Sequence, residues 1–188
     1  MRVGNLMGRH KDGEFQINYT TNMFMNGVRG FAAMGLYPIS HMTDPMSFSP
    51  IDCTARAIVL LAGTNDQFTA FNADNRYSFD EMKLIDACNR CQLPIAPTDD
   101  DEYYAAYHRA LGDIRMNSVL NGLAANDRPG MHMGETDNEF TTNILYRLGF
   151  SWPLTDDAYL DRVVNSLREL DFFELDEPYD DENEEDAT

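Results

Sequence analysis

MSFSPIDCTARAIVLLAG, Met46 to Gly63, passes from one periodicity to another without a linker. Met46 to Ile51 reads as a short strand, and Asp52 to Ala62 as a helix that Gly63 stops. Asp52 stands where a carboxylate accepts from the free N–H groups of a first helical turn. A strand that feeds a helix directly is the building unit of α/β folds.

On the N-terminal side, Tyr19 to Met34 fits a helix with Asn18 as its cap and Gly35 as its stop. Met23, Val28, Phe31 and Met34 supply its apolar face, and Gly27 and Gly30 leave room for close packing. A polar turn is expected at Asp12-Gly13, and a short apolar piece follows Gly35. The opening MRVGN reads as the end of a strand at Val3 running into a Gly-Asn turn. A domain rarely starts on the last residues of a buried strand, so a preceding segment is expected.

On the C-terminal side, Gln67 to Ala73 alternates as a strand, and Ser78-x-x-Glu81 matches a capping box for a helix over Phe79 to Asn89. Leu93 to Ala96 is a further strand candidate. Helical spacing then recurs over Asp101 to Leu111, Ile114 to Ala125, Asp137 to Leu148 and Asp156 to Leu170. Thr136-x-x-Glu139 is a second capping box, Thr155 a cap for the last helix, and Gly149 a stop. Strand-helix units come first and a helical cluster second, which predicts α/β material with a helical appendage.

The chain has 188 residues, 43 % of them hydrophobic, enough for one ordinary core. Its longest apolar run, Ala57 to Ala62, is far below the roughly 20 residues of a membrane helix, and no signal region opens the chain. A net charge of −18 argues against nucleic acid or an anionic membrane as the main partner. From Asp171 onward there are ten acids and no Lys or Arg, which reads as a disordered, solvated tail. Three cysteines make no disulfide framework, and a reducing cytoplasm is the default.

Other constellations carry less. Cys88-x-x-Cys91 lacks the second pair of a zinc site and closes a helix instead of opening one, unlike a redox motif. His10, His41, His108 and His132 are scattered without paired spacing, and no Gly-x-Ser-x-Gly elbow supports a Ser-His-Asp triad. Asp99 to Glu102 does not match a calcium loop, and acids at a helix start are explained by the helix dipole.

Four segments in order carry a family resemblance. RVGNLMGR (Arg2 to Arg9) resembles the R-x-G-N segment of thioester reductase domains, which terminate some nonribosomal peptide synthetases and are related to carboxylic acid reductases. SPIDCTARAIVLLA (Ser49 to Ala62) resembles their P-[VI]-D-x-x-A-R-A-I-V block. QFTAFNADNRYSFDEM looks like their strand, Asn and helix, and LGFSWPLTDDAYLDRVVNSL resembles their closing helix pair. The resemblance implies the C-terminal part of a Rossmann-type, NAD(P)-binding extended short-chain dehydrogenase fold with a mostly helical substrate subdomain. Residues 1–97 would hold the terminal strand-helix units and substrate-loop region, 98–171 the helical subdomain, and 172–188 the acidic tail.

The family uses NADPH or NADH to reduce an acyl or peptidyl thioester, held by phosphopantetheine on a carrier domain, to an aldehyde. By resemblance, Arg2, Gly4 and Asn5 would edge the cofactor site, and Phe15, Tyr19 and Met23 would line the acyl and pantetheine channel. Simple core packing explains the last three equally well. The family's Gly-rich fingerprint is missing, and none of the nine Tyr has a Lys four residues later. The implied partner is therefore a missing N-terminal reductase half, without which the chain would be inactive. An unpaired sheet edge at Val3 implies self-association. The alternatives are a non-catalytic binding protein that keeps half of the fold, or part of a fatty acyl or carboxylic acid reductase.

Overall fold

The computed structural model describes residues 1–65, 70–126 and 137–175. Its elements run β1 (Arg2–Val3), β2 (Leu6–Met7), α1 (Met23–Met34), β3 (Leu36–Pro38), β4 (Pro45–Ser47), β5 (Ser49–Pro50), α2 (Ile51–Ala62) and β6 (Asn72–Ala73). They continue through β7 (Ser78–Asp80), α3 (Met82–Arg90), β8 (Ala96–Thr98), α4 (Asp100–Ala110), α5 (Asn117–Asn126), α6 (Glu139–Arg147) and α7 (Asp157–Arg168). The α/β class with a helical C-terminal cluster is as the sequence predicts.

The strands pair two by two. β1 pairs with β6, β2 with β5 and β3 with β8, all in parallel, while β4 and β7 pair antiparallel. In the chain, α2 runs from β5 to β6, which pair not with each other but with β2 and β1. The opening residues therefore lie beside both ends of one strand-helix-strand unit: β2 against its start and β1 against its end. Among the described strands β1 has β6 alone as partner. Met1 and Val3 stand 55 % and 45 % exposed along it.

Two cores form. The larger joins Met25, Val28 and Phe31 of α1 to Leu84 and Ile85 of α3, Val119 and Leu123 of α5, and Val163 and Leu167 of α7. It thus draws on both sides of the expected division at residue 97. The smaller lies between α2 and α6, where Ala57, Leu61 and Leu145 surround Phe150 and the single Trp152, the last two edge to face at 5.1 Å. Each large side chain fully buried contributes about 1.5–3 kcal/mol.

Several expected boundaries move, each for a visible reason. Met46 to Ile51 divides into β4 and β5 around the buried Phe48, and the helix begins at Ile51 after Pro50. Asp52 is not the cap residue. It sits one position inside α2, accepting from the N–H of Cys53 and of His10, both at 2.9 Å. Tyr19–Thr21 takes a 3-10 turn, so the cap of α1 is Asn22, whose side chain accepts from Met25 N, and not Asn18. Met23 then falls in the first turn and is 50 % exposed instead of joining the buried face. Asp156, not Thr155, caps α7 by accepting from Tyr159 N.

The Ser78 capping box does not form. Phe79 packs edge to face on Phe48 at 5.0 Å, which draws Ser78–Asp80 into β7, and α3 starts at Met82. Leu93 to Ala96 likewise shifts to Ala96–Thr98, where β3 offers a partner. Ile114–Met116 is a 3-10 turn ahead of α5. Residues 67–69, Thr136 and His132 lie outside the described residues. Residues 176–188 of the expected tail do as well, while Phe172 at its start is buried in the larger core. Gly35 (φ 68°) and Gly149 (φ 77°) end α1 and α6 in the left-handed region as expected.

Helices α1 and α5 approach closely because small residues face each other. A Cβ on Gly122 would meet Gly27 N at 2.6 Å and Asn26 C at 2.7 Å, both backbone atoms that cannot rotate away. Gly122→Ala is therefore expected to destabilise the protein by about 1–3 kcal/mol in a denaturant titration. Gly63→Ala, where the nearest atom is Leu60 O at 3.5 Å, should leave the midpoint nearly unchanged. Equal midpoints for the two variants would refute this account of the α1–α5 contact.

Candidate functional site

The turn after β1 lines a polar cleft of about 740 Å³. Here the chain passes so close to its neighbours that a Cβ on Gly4 would stand 2.6 Å from Asp74 Cβ and 2.8 Å from Ser49 Oγ. Asn5 O accepts from Ser49 N at 2.8 Å, and Ser49 Oγ accepts from Asn75 N at 2.9 Å. Asn75 is 3 % exposed and uses its whole amide. Its Nδ2 donates to Phe48 O (3.1 Å) and Pro153 O (3.2 Å), and its Oδ1 accepts from Tyr77 N (3.2 Å). One side chain thus joins the segment before β5, the loop after β6 and the stretch before α7.

The cleft is also lined by Asp74 and by the start of α6. Asn138 Nδ2 donates to Asp74 Oδ1 at 3.0 Å and to Asp74 O at 3.2 Å. Asn72 reaches the same segment, its N–H donating to Thr141 Oγ1 (3.0 Å) and its Nδ2 to Asp137 O (2.8 Å). Burial raises the Asp74 carboxyl above its ordinary range, and the Asn138 hydrogen bond partly opposes that. The lining carries Asp74, Asp137 and Glu139 against a single Arg76. That balance of charge repels a pyrophosphate.

Of the three residues assigned to the cofactor edge, Gly4 and Asn5 line this cleft and Arg2 does not. Arg2 is exposed on β1, its backbone N–H donating to Phe71 O at 2.8 Å. The three residues assigned to the substrate channel also divide. Phe15 and Tyr19 line a second cleft, of about 780 Å³, against Arg162, Ser166 and Leu170 of the last helix and its end. Tyr19 packs edge to face on Phe172 at 5.9 Å, while Phe15, 9 % exposed, also belongs to the larger core. Met23 lies outside that cleft. The loop that carries Phe15 is held by Arg9, which pairs with Asp12 and Glu14, and by the buried Tyr159 hydroxyl donating to Gly8 O at 2.9 Å.

The remaining constellations fall out structurally. Cys53, Cys88 and Cys91 are free thiols, and burial pushes Cys53 and Cys88 up to about 12, so neither is a ready thiolate. Asp99 caps α4, accepting from Glu102 N at 3.0 Å. Arg56 lies over the Phe150 ring at 5.7 Å. Sequence reasoning missed the Asp74–Asn138 contact and the burial of Glu81, which the capping-box reading placed on a helix start. Glu81 is 6 % exposed, and burial pushes its carboxyl up to about 7.

Two outcomes test the first cleft. Asn75→Ala leaves the Phe48 and Pro153 carbonyls without their donor and is expected to cost about 2 kcal/mol in equilibrium unfolding. A change under a few tenths would remove Asn75 from its joining role. Asp74 has its folded pKa above its unfolded one, so its contribution is present at acid pH and lost as pH rises through the folded value. Asp74→Asn keeps the acceptor and is expected to flatten that part of the stability–pH profile. An unchanged slope in melts between acid and neutral pH would show that Asp74 is not the source.

Comparison with known proteins agrees with this architecture. No family model and no curated protein sequence matches the chain. Among solved structures, a thiolation-reductase di-domain from an archaeal nonribosomal peptide synthetase is 32 % identical with a TM-score of 0.77, over 92 % of this chain and 36 % of that one. The terminal R domain of the myxalamid PKS-NRPS biosynthetic pathway superposes with a TM-score of 0.77 at 19 % identity, over 94 % and 44 %. The reductase domain of a nonribosomal peptide synthetase from Mycobacterium tuberculosis gives 0.68 at 16 %, over 91 % and 46 %. The last two show likeness of fold alone, and the chain spans less than half of each of the three structures. With that fold and that sequence identity, the chain matches the reductase domains of nonribosomal peptide synthetases, as a C-terminal part of their short-chain dehydrogenase-type fold.

Proposed function

We propose that the chain is the substrate-binding, C-terminal part of an NAD(P)H-dependent thioester reductase that releases a carrier-bound acyl or peptidyl chain as an aldehyde. The observation that carries this is the 32 % identity, sustained over 92 % of the chain, to a reductase joined to a thiolation domain. In this reading the Gly4–Asn5 turn forms one edge of the nicotinamide site, and Arg2 on β1 faces the half that carries the Gly-rich turn and the Tyr-x-x-x-Lys pair. The acidic cleft lining disfavours a pyrophosphate, so the dinucleotide's phosphates belong to that other half. Phe15 and Tyr19 would guide the apolar acyl and pantetheine portions along the second cleft. The partners are that N-terminal half and a carrier domain bearing the thioester. A cytoplasmic setting, in keeping with the three free thiols, is part of the same proposal.

The open side of β1 supports the need for a partner. Arg2 and Val3 are exposed on β1, as is Met1 just before it, and the described partner of that strand lies on one side only. Such an edge pairs with another chain when one is present. Alone, the chain is expected to be inactive, to bind NADPH weakly and to self-associate in sedimentation velocity. Val3→Lys should reduce that self-association.

Mixing with a separately produced N-terminal reductase half should restore consumption of NADPH on a carrier-bound thioester and give a one-to-one complex. Tight NADPH binding by the chain alone would overturn the division of labour. Formation of the complex without any thioester reduction would favour a binding protein that keeps half of the fold.

A further inference from the structure

Outside both clefts, three side chains from two connecting segments converge. His41 ends a 3-10 turn after β3, Asp44 immediately precedes β4, and Glu81 lies between β7 and α3. One ligand-capable atom from each stands within 4.8 Å of the other two. The backbone sets this arrangement. Asp44 N donates to His41 O at 3.0 Å, Glu81 N donates to Asp44 O at 2.9 Å, and the β4–β7 register places Pro45 opposite Asp80.

The environment of Glu81 is costly as it stands. Glu81 is 6 % exposed, and Asp44, of like sign, acts on its carboxylate. Tyr37, fully buried, directs its hydroxyl to the same carboxylate. Two neighbouring carboxylates, one of them buried, oppose folding. A divalent cation between the carboxylates would remove the repulsion. It would also fix the Glu81 oxygen that Tyr37 faces, making the hydroxyl an outer-shell donor.

From this we infer that His41, Asp44 and Glu81 bind one divalent first-row transition ion of the Zn²⁺ type. One imidazole nitrogen with two carboxylates suits such an ion, and the imidazole disfavours Ca²⁺ and Mg²⁺. Three protein ligands leave a position for water, and the half-buried His41 and Asp44 leave that side open to solvent. The consequence reaches the first cleft, because Pro45, Met46, Ser47 and Ser78 line it. An ion tying the segment before β4 to the end of β7 would clamp that wall.

The test uses the full chain stripped with a chelator and titrated with Co²⁺, followed by displacement with Zn²⁺ in calorimetry. The expected result is one equivalent bound, with visible d–d bands and no sulfur-to-metal charge transfer. His41→Ala and Asp44→Asn, both at half-buried positions, should each abolish the bands while far-ultraviolet circular dichroism stays native. Tyr37→Phe should weaken binding roughly 10-fold. Three results would each overturn the site: no bands with folded protein, a charge-transfer band placing the ion on Cys88 and Cys91, or binding unchanged in His41→Ala.

Discussion

Parallel strands two residues long cannot hold themselves together, and the first seven residues are held by what crosses them. Gly4 lets the chain pass between Asp74 and Ser49 where no side chain fits. Ser49 then donates its backbone N–H to Asn5 O, and its hydroxyl oxygen accepts from Asn75 N. Asn75 in turn secures carbonyls 27 and 78 positions away in the chain. With so few ladder hydrogen bonds, this buried polar junction sets the register that the pleat alone would leave loose. The polar cleft exists because that junction keeps the Gly4 turn, the Asp74 loop and the start of α6 at fixed distances.

Much of this was legible in the sequence, and the failures share one cause. Glycine stops were read correctly at Gly35 and Gly149, because a left-handed residue is a local requirement. Helices with strong periodicity, such as those at Asp100–Ala110 and Asp157–Arg168, were found to within about two residues, the usual spread at helix ends. Ser78-x-x-Glu81 misled because its local capping signal competes with Phe79, whose burial against Phe48 needs an extended backbone. Asn18 misled in the same way: a 3-10 turn, invisible to apolar spacing, moved the cap to Asn22. Tertiary packing overrode local preference in each case.

The candidate sites were legible only in part. Gly4 and Asn5 came from a motif and do line a cleft, and Phe15 and Tyr19 line another. Met23, which the resemblance set beside them, lies outside that cleft, and its exposure, where helical spacing counted from Asn18 expected a buried face, follows from the cap at Asn22. Asp74 with Asn138, and His41 with Asp44 and Glu81, are meetings of residues far apart in sequence. No spacing rule announces them, because they depend on strand pairing and on the placing of α6.

The two cores also divide the chain's optical properties. The single Trp152 is 5 % exposed in the small core between α2 and α6, beside Phe150. The buried tyrosines Tyr37, Tyr103 and Tyr159 all lie in the larger one. Indole emission therefore reports on the docking of α6 onto α2, and tyrosine absorption on the packing around α1, α3, α5 and α7. A chain in which one core loosens before the other would show two unfolding transitions at two wavelengths without any introduced label.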